Sequence, residues 1–338
     1  MSKLSECSKN HASVASLFYR NNIFGLKPWD PISPDSIVFL QSQRTYRAVL
    51  CTELKKPLVV RDVPSALLQS HEVRIHVCCC GVNFADILAC QGLYQYQHPL
   101  PFIPALAEEY IADSKLLWKI PQGVPYEQAA ALPVSYGTAI LALKHRAQTQ
   151  PGETVLVTAA AGATGLAVVD VAASVLKAKV IAAAGSDSKC HLATQKGAVE
   201  SVNYNEASLK EEVKKLTANR GVNVVIDLFG GDIFKQALHS LAFEGRIVVV
   251  GFAGGTIPPI PANILLLKNI SALGLFWGRY QDEEFPVFSS TISSALSYYQ
   301  EGQIQPHIGG VFKLEEVNEA FAHIIQRKST GKIVISMN

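Results

Sequence analysis

The 338-residue chain is poor in charge: Asp, Glu, Lys and Arg together make up 17%, against 49% hydrophobic residues. A low charge fraction with high apolar content excludes an intrinsically disordered chain. Neither sign of charge dominates. Thirty basic residues face 28 acidic ones, a formal charge of +2, so there is no basic footprint for nucleic acid and no polybasic membrane signal. Long apolar runs are absent too. The longest, near 154–184, is broken by Thr158, Gly162, Thr164, Gly165 and Asp170, which leaves nothing long enough to span a bilayer. No CxxC and no HExxH occurs. What is there is enough apolar residue for about two globular domains.

Seven cysteines are present, an odd number, and three of them (Cys78, Cys79, Cys80) are adjacent. Neighbours on a strand point to opposite faces, so these three cannot jointly hold a metal and are read as strand residues of a reduced, intracellular protein. Residues 1–44 form a Ser-rich leader broken by Pro28, Pro31 and Pro34, with basic Lys3, Lys9, Arg20, Lys27 and Arg44. It lacks the apolar core of a secretory signal. It reads as a disordered segment, an altered exon or a mitochondrial transit segment, and the compartment stays mitochondrial or cytoplasmic.

From Tyr46 the pattern is one of short strands: Tyr46–Thr52, Pro57–Val63, Glu72–Cys80, then Glu109–Ala112 and Leu116–Ile120. A turn or two of helix is expected at Asn83–Cys90. From Pro133 helices and strands alternate, with strands at Thr154–Thr158, Lys179–Ala183, Ser201–Val202, Val222–Asp227 and Arg246–Gly251. That alternation predicts right-handed βαβ units and a parallel sheet. The expected fold is α/β: a doubly wound Rossmann domain over 135–305 and a smaller β-rich domain over 45–134. Residues 306–338 partly return to the smaller domain.

The sharpest motif is Ala160-Ala161-Gly162-Ala163-Thr164-Gly165, an AxGxxG turn that follows one strand and opens a helix. Gly162 lets the turn approach a pyrophosphate and Gly165 lets helix and strand pack closely. The helix start offers unpaired N–H groups to the phosphates. An NAD site would place a carboxylate at the end of the next strand, for the ribose 2′-hydroxyl. Here that strand ends in Gly185-Ser186, with Lys189 close behind, so NADPH is favoured over NADH. Tyr204 stands where it can cover the same 2′-phosphate. Phe229-Gly230-Gly231 and Gly251-Phe252-Ala253-Gly254-Gly255 end two further strands on the same sheet edge, where α/β proteins bind ligands.

With these pieces the chain, from about Tyr46 to Met337, resembles the quinone oxidoreductase branch of the medium-chain dehydrogenase/reductase superfamily. The resemblance rests on Gly81-Val82-Asn83-Phe84-Ala85-Asp86, Gln91-Gly92-Leu93-Tyr94, Leu132-Pro133-Val134-Ser135-Tyr136-Gly137-Thr138-Ala139, the AxGxxG turn, Val202-Asn203-Tyr204 and Thr330-Gly331-Lys332. It implies a GroES-like catalytic domain beside the Rossmann domain, and zinc-free reduction of a quinone or activated enone by NADPH. It also implies cofactor contacts at Thr138, Ser186, Lys189, Tyr204, Gly230, Phe252, Ala253, Phe276, Trp277, Gly278 and Lys332. Asn83, Tyr94 and Tyr136 become candidates for polarising the acceptor carbonyl or supplying a proton. Zinc relatives carry Cys-His where this chain has Asn83-Phe84, and Asn is a poor zinc ligand, so no metal is expected. Ile270–Leu275 matches a strand that often pairs across a two-fold axis, the basis for expecting a homodimer. An enoyl-thioester reductase and a non-catalytic NADPH-binding protein are the competing readings.

One departure stands out. After Pro101-Phe102-Ile103-Pro104 the family pattern continues with Gly-x-Glu-x-x-Gly and two or three strands. Here Ala107-Glu108-Glu109-Tyr110 follows almost at once, resembling a later strand of the pattern. The GroES-like domain is therefore expected to be incomplete. A barrel that loses adjacent strands gains edges.

Overall fold

The computed structural model describes residues 44–337 and the short strand Val14–Ser16. The rest of the leader, with Cys7 and the transit-segment reading, lies outside the described residues.

In chain order, β1 (Val14–Ser16), β2 (Thr45–Leu50), β3 (Val59–Pro64), β4 (Glu72–His76) and β5 (Cys79–Gly81) lead into α1 (Phe84–Cys90). Next come β6 (Glu109–Asp113), β7 (Leu117–Lys119), α2 (Tyr126–Ile140), β8 (Thr154–Val157), α3 (Ala163–Asp170) and β9 (Lys179–Ala184). They are followed by α4 (Asp187–Gln195), β10 (Glu200–Asn203), α5 (Leu209–Leu216), β11 (Val222–Asp227), α6 (Gly231–His239) and β12 (Leu241–Val249). The chain closes with α7 (Ala262–Lys268), β13 (Ser271–Gly274), α8 (Tyr280–Glu283), α9 (Phe285–Gln300), β14 (Ile308–Lys313), α10 (Val317–Ile325) and β15 (Lys332–Ser336). No described helix is long and apolar enough to cross a membrane.

Two compact units emerge. Among the described residues, the first holds those up to Ala130, Val311–Ala322 and those from Val334 on, and the second holds Ala131–Gly310 and His323–Ile333.

The second unit is built on a six-stranded parallel sheet in the order β10-β9-β8-β11-β12-β13. Its strands are nearly all apolar: Val180–Ala184 and Val224–Asp227 are buried throughout, as strands covered on both faces must be. Leu156, Ile181, Val225, Phe234, Leu238 and Ile247 share one core cluster. The strand order turns at β8 and β11, which run side by side, and the AxGxxG turn leaves β8 at that point. Two helices run past their regular ends into wider π-type turns, α2 through Leu141–Arg146 and α3 through Val171–Val175. α2 also carries Pro133 inside it.

In the first unit β2 pairs antiparallel with β3, and β4 with β6. The expected strand Glu72–Cys80 is broken in two, and its second half, β5, pairs with β15, Val334 lying opposite Gly81. Val14–Ser16 pairs with β7. Directly after Phe102 the chain runs back along β2: Val49 N–H donates to the Leu106 carbonyl at 2.9 Å and Glu108 N–H to the Arg47 carbonyl at 2.9 Å. Ala105, within this run, takes a left-handed conformation (φ 57°), which costs a non-glycine residue about 1–2 kcal/mol. Leu67, Leu93 and Leu100 are exposed in this unit. All six described cysteines are thiols, and Cys80 is buried, donating to the Ala105 carbonyl.

Candidate functional site

The AxGxxG turn is held by its own backbone. Ala160 N–H donates to the Ala183 carbonyl on β9, and Gly162 N–H donates to the Ala159 carbonyl, both at 3.0 Å. The tight residue is Ala159, not a glycine: its φ is 48°. Gly162 is the N-cap of α3 and exposed, with Ala163 and Thr164 half-buried behind it. Gly165 is buried where the helix crosses the turn. A Cβ there would fall well inside contact distance of the Ala159 carbonyl oxygen and 2.8 Å from Ala160 backbone atoms. At Gly162 an added Cβ would touch nothing closer than Ala159 O at 3.4 Å, so the outer side of the turn is open to a ligand. These are the properties a pyrophosphate-binding turn requires.

The end of β9 carries the charge. Ser186 caps α4, its hydroxyl accepting from Lys189 N–H. The Lys189 ammonium donates to the Arg327 carbonyl at 2.6 Å. Burial and then the Arg327 charge lower the Lys189 pKa from its ordinary value. The Arg327 guanidinium lies over the Phe229 ring at 5.5 Å, and the Tyr204 and Phe229 rings are 5.3 Å apart. Burial raises the Tyr204 hydroxyl while Arg327 lowers it. Lys189, Tyr204 and Arg327 thus form one cluster beside Gly185. Two cations held this close repel, and an anion between them relieves that repulsion. The sequence reading named the first two and missed Arg327. Its signal was weak: one of two adjacent basic residues, Arg327-Lys328, just after a helix and 138 positions from Lys189.

The turn Phe229-Gly230-Gly231 ends β11. Gly230 is left-handed (φ 79°), and a Cβ on it would come 2.6 Å from the Thr256 carbonyl oxygen. Gly251-Phe252-Ala253-Gly254-Gly255 ends β12 beside it: Ala253 N–H donates to the Leu228 carbonyl and Gly254 N–H to the Phe229 carbonyl. At the far end of the unit, Gly331 N–H donates to the Ala161 carbonyl at 2.8 Å, which puts the segment before Lys332 against the AxGxxG turn. Lys332 itself is 3% exposed.

Several expected contacts have a different role. The Tyr136 hydroxyl donates to the buried Asp170 carboxylate at 2.8 Å. Lys196 pairs with the same carboxylate, and Gln305 N–H donates to it. Burial, then the Asp170 charge, pushes the Tyr136 pKa well above its ordinary value. Tyr136 is therefore a brace between α2 and α3, not an available proton donor. Trp277 is also turned inward: its indole N–H donates to Thr291 and its ring packs 4.5 Å from Phe288. Gly278 is buried next to it, Phe276 is half-buried, and Thr138 is 8% exposed on α2. A Cβ at Gly137 would sit 2.8 Å from the Trp277 ring. Gly137→Ala should cost about 1–3 kcal/mol by overpacking, read as a lower melting temperature with cofactor affinity measured alongside.

In the first unit Asn83 is the N-cap of α1. Its backbone N–H donates to the Asp86 carboxylate at 2.7 Å and its side-chain amide to the Gly81 carbonyl at 3.2 Å. Asp86 fixes this helix start. Tyr94 is half-buried, its ring 6.2 Å from that of Tyr96.

Comparison with known proteins agrees with this fold. The zinc-binding dehydrogenase family profile matches residues 163–294, inside the second unit. Quinone oxidoreductase-like protein 2 of Bos taurus is 62% identical over 325 positions, covering 87% of this chain and 93% of the relative. Its homolog in Nematostella vectensis is 45% identical, covering 87% and 90%. The quinone oxidoreductase of Thermus thermophilus, solved also in complex with NADPH, is 32% identical with a TM-score of 0.77, covering 86% of this chain and 100% of that one. The chain belongs to the quinone oxidoreductase subfamily of the medium-chain dehydrogenase/reductase superfamily. The bovine alignment also measures the shortfall. It has 325 positions, whereas 87% of 338 residues is about 294, so about 31 positions have no counterpart here. Among the described residues, no group of three or more His, Cys, Asp or Glu could hold a metal ion.

Proposed function

We propose that this chain is a zinc-independent oxidoreductase that takes hydride from NADPH and reduces a quinone or an activated enone. The observation that carries the cofactor choice is the Lys189–Tyr204–Arg327 cluster at the end of β9, a strand that ends without a carboxylate to hold a free 2′-hydroxyl or repel a 2′-phosphate. The next acid in the chain, Asp187, accepts from the Asn203 amide at 2.9 Å. The NADPH complex of the Thermus thermophilus relative supports the same choice.

When bound, the nicotinamide supplies the hydride. The chain's own residues do the rest. The AxGxxG turn and the start of α3 present N–H groups to the pyrophosphate. Lys189 and Arg327 neutralise the 2′-phosphate, with Tyr204 beside them. Gly230, Phe252, Ala253 and Phe276 flank the path on from there, and the Gly331–Ala161 bond fixes the segment that carries Lys332. In the first unit Asn83 and Tyr94 are the proposed hydrogen-bond donors to the acceptor carbonyl; the Asp86 cap holds Asn83 in place.

The shortened first unit favours a second reading, in which cofactor binding outlasts turnover. About 31 positions of the bovine alignment have no counterpart in this chain, and the family pattern breaks after Pro104, in the unit that carries Asn83 and Tyr94, while the second unit carries a six-stranded sheet. NADPH titration by fluorescence should show binding. NADPH oxidation with ortho- and para-quinones, enones and an enoyl thioester should be far slower than in an intact relative. Quinone turnover at the relative's rate would refute the impaired reading, and turnover of the thioester alone would select the enoyl-thioester reductase.

A homodimer through Ile270–Leu275 is proposed on the same footing. β13 is the edge of the six-stranded sheet, and Leu266 and Leu267 on the preceding helix are exposed. Sedimentation giving only monomer at micromolar concentration would reject it. Whether the leader directs the chain to mitochondria is tested by fusing residues 1–44 to a fluorescent reporter.

A further inference from the structure

The carboxyl edge of the sheet holds a buried acid with no place in the chemistry proposed above. Asp227, the last residue of β11, is fully buried. One carboxylate oxygen accepts the Thr158 hydroxyl at 2.7 Å, and Thr158 directly follows β8, one residue before the AxGxxG turn begins to fold back. The other accepts Gly230 N–H at 3.0 Å, in the turn after β11. Thr158 is used twice, since its hydroxyl oxygen also accepts Leu228 N–H at 2.9 Å. The main chain of the same stretch reaches the third turn. The Asp227 carbonyl accepts Val250 N–H at 2.9 Å, and the Leu228 and Phe229 carbonyls accept Ala253 and Gly254 N–H. One residue thus ties together the three turns that leave β8, β11 and β12.

We propose that Asp227 is a positioning residue for the dinucleotide: its carboxylate sets the AxGxxG turn against the Phe229-Gly230-Gly231 turn, and cofactor affinity depends on that link. This rests on the cofactor reading above. The chemistry of the site supports it. Every group that touches the carboxylate is a donor, so the ionised form is the one that fits. Burial pushes the Asp227 pKa up to about 6, while the Thr158 hydroxyl and the Gly230 and Phe229 N–H groups hold it down. All of those groups are neutral, and the acid is ionised at pH 7.5. Gly230 N–H can only donate, so asparagine in its place would keep its oxygen there and turn its amide N–H toward the Thr158 hydroxyl, which loses its charged acceptor, and the Thr158 link is the one cut. A link between turns acts on the part of the cofactor common to NADH and NADPH. It does not act on the 2′-phosphate, which belongs to Lys189 and Arg327.

The test is a double-mutant cycle in the full chain, with Asp227→Asn, Thr158→Val and the pair. NADPH and NADH are titrated by fluorescence at pH 7.5, below the melting temperature of each variant. Each single variant should weaken both cofactors by the same factor, about tenfold, the loss of one charge-assisted hydrogen bond. The pair should be no worse than either alone, because both changes cut one link. Thr158→Ser, which keeps the hydroxyl, should bind as the wild type does; it also serves if Asp227→Asn does not fold. The proposal is overturned by wild-type affinity in folded Asp227→Asn or Thr158→Val, by a loss confined to NADPH, or by losses that multiply in the pair. A wild-type chain that binds neither cofactor would instead overturn the cofactor reading itself.

Discussion

Gly165→Ala is expected to abolish cofactor binding. The added methyl has no room: it would collide with the Ala159 carbonyl oxygen and meet Ala160 backbone atoms at 2.8 Å. These atoms belong to the turn itself, and that turn is anchored to β9 by the Ala160–Ala183 hydrogen bond. No flexible side chain is available to give way. Either the start of α3 moves off β8, or the turn unwinds. The overpacking itself costs about 1–3 kcal/mol or more. A displacement of the N–H groups by an ångström is enough to cost about 100-fold in what they position. Fluorescence titration of NADPH against the wild type reads the effect, with circular dichroism to establish that the sheet persists. An alanine variant that binds NADPH normally would show that the helix start does not hold the pyrophosphate. Gly162→Ala is the internal comparison: its Cβ would meet only Ala159 O, at 3.4 Å, so the fold should tolerate it, and its effect reports ligand clearance alone.

On the proposed cofactor site, replacing Lys189 and Arg327 together with alanine should bring NADPH affinity down to that of NADH. The two cations are linked through the Lys189–Arg327 carbonyl bond, and burial and mutual repulsion both lower the Lys189 pKa. A 2′-phosphate removes that repulsion and gains charge-assisted hydrogen bonds, each worth about 1.5–3 kcal/mol. Each single variant should therefore weaken NADPH by roughly 10–100-fold, since 1.4 kcal/mol is tenfold. NADH, which offers no phosphate there, should be nearly unaffected. Arg327→Ala is the more informative single change, because it also removes the guanidinium from the Phe229 ring. Equal losses for both cofactors would place Arg327 at the adenine or in the fold, not at the phosphate. The same pair of titrations separates this site from Asp227, whose loss should weaken both cofactors alike.

The parts of the molecule differ in how far they could be read from residues alone. The alternation of strands and helices after Pro133 was legible because β8, β9 and β11 are short apolar runs with a glycine within five residues of their ends. Strand ends fell within a residue or two at β8, β9 and β11, though β12 begins five residues before the expected Arg246. Local turn chemistry was legible too, since a glycine that must admit a close neighbour announces itself through its spacing. The roles of Tyr136 and Trp277 were not. Tyr136 finds Asp170 34 positions away, and Trp277 finds Gly137, Phe288 and Thr291 on other helices. A motif places such a residue in a neighbourhood but does not say which way its side chain turns. Arg327 and Asp227 escaped for a related reason: each is an ordinary residue type, and its meaning comes wholly from its partners.

By itself the sequence determined the class of fold, the AxGxxG turn between β8 and α3, the absence of a carboxylate at the end of β9 and the break in the family pattern after Pro104. All of these depend on residue type and short-range spacing, which backbone sterics and local hydrogen bonding read directly. Only the tertiary structure decided the strand order, the second cation beside Lys189, the inward turn of Tyr136 and Trp277, and the link that Asp227 makes between turns. These depend on which distant segments the sheet brings to one edge, and that is settled by long-range packing that no local pattern encodes.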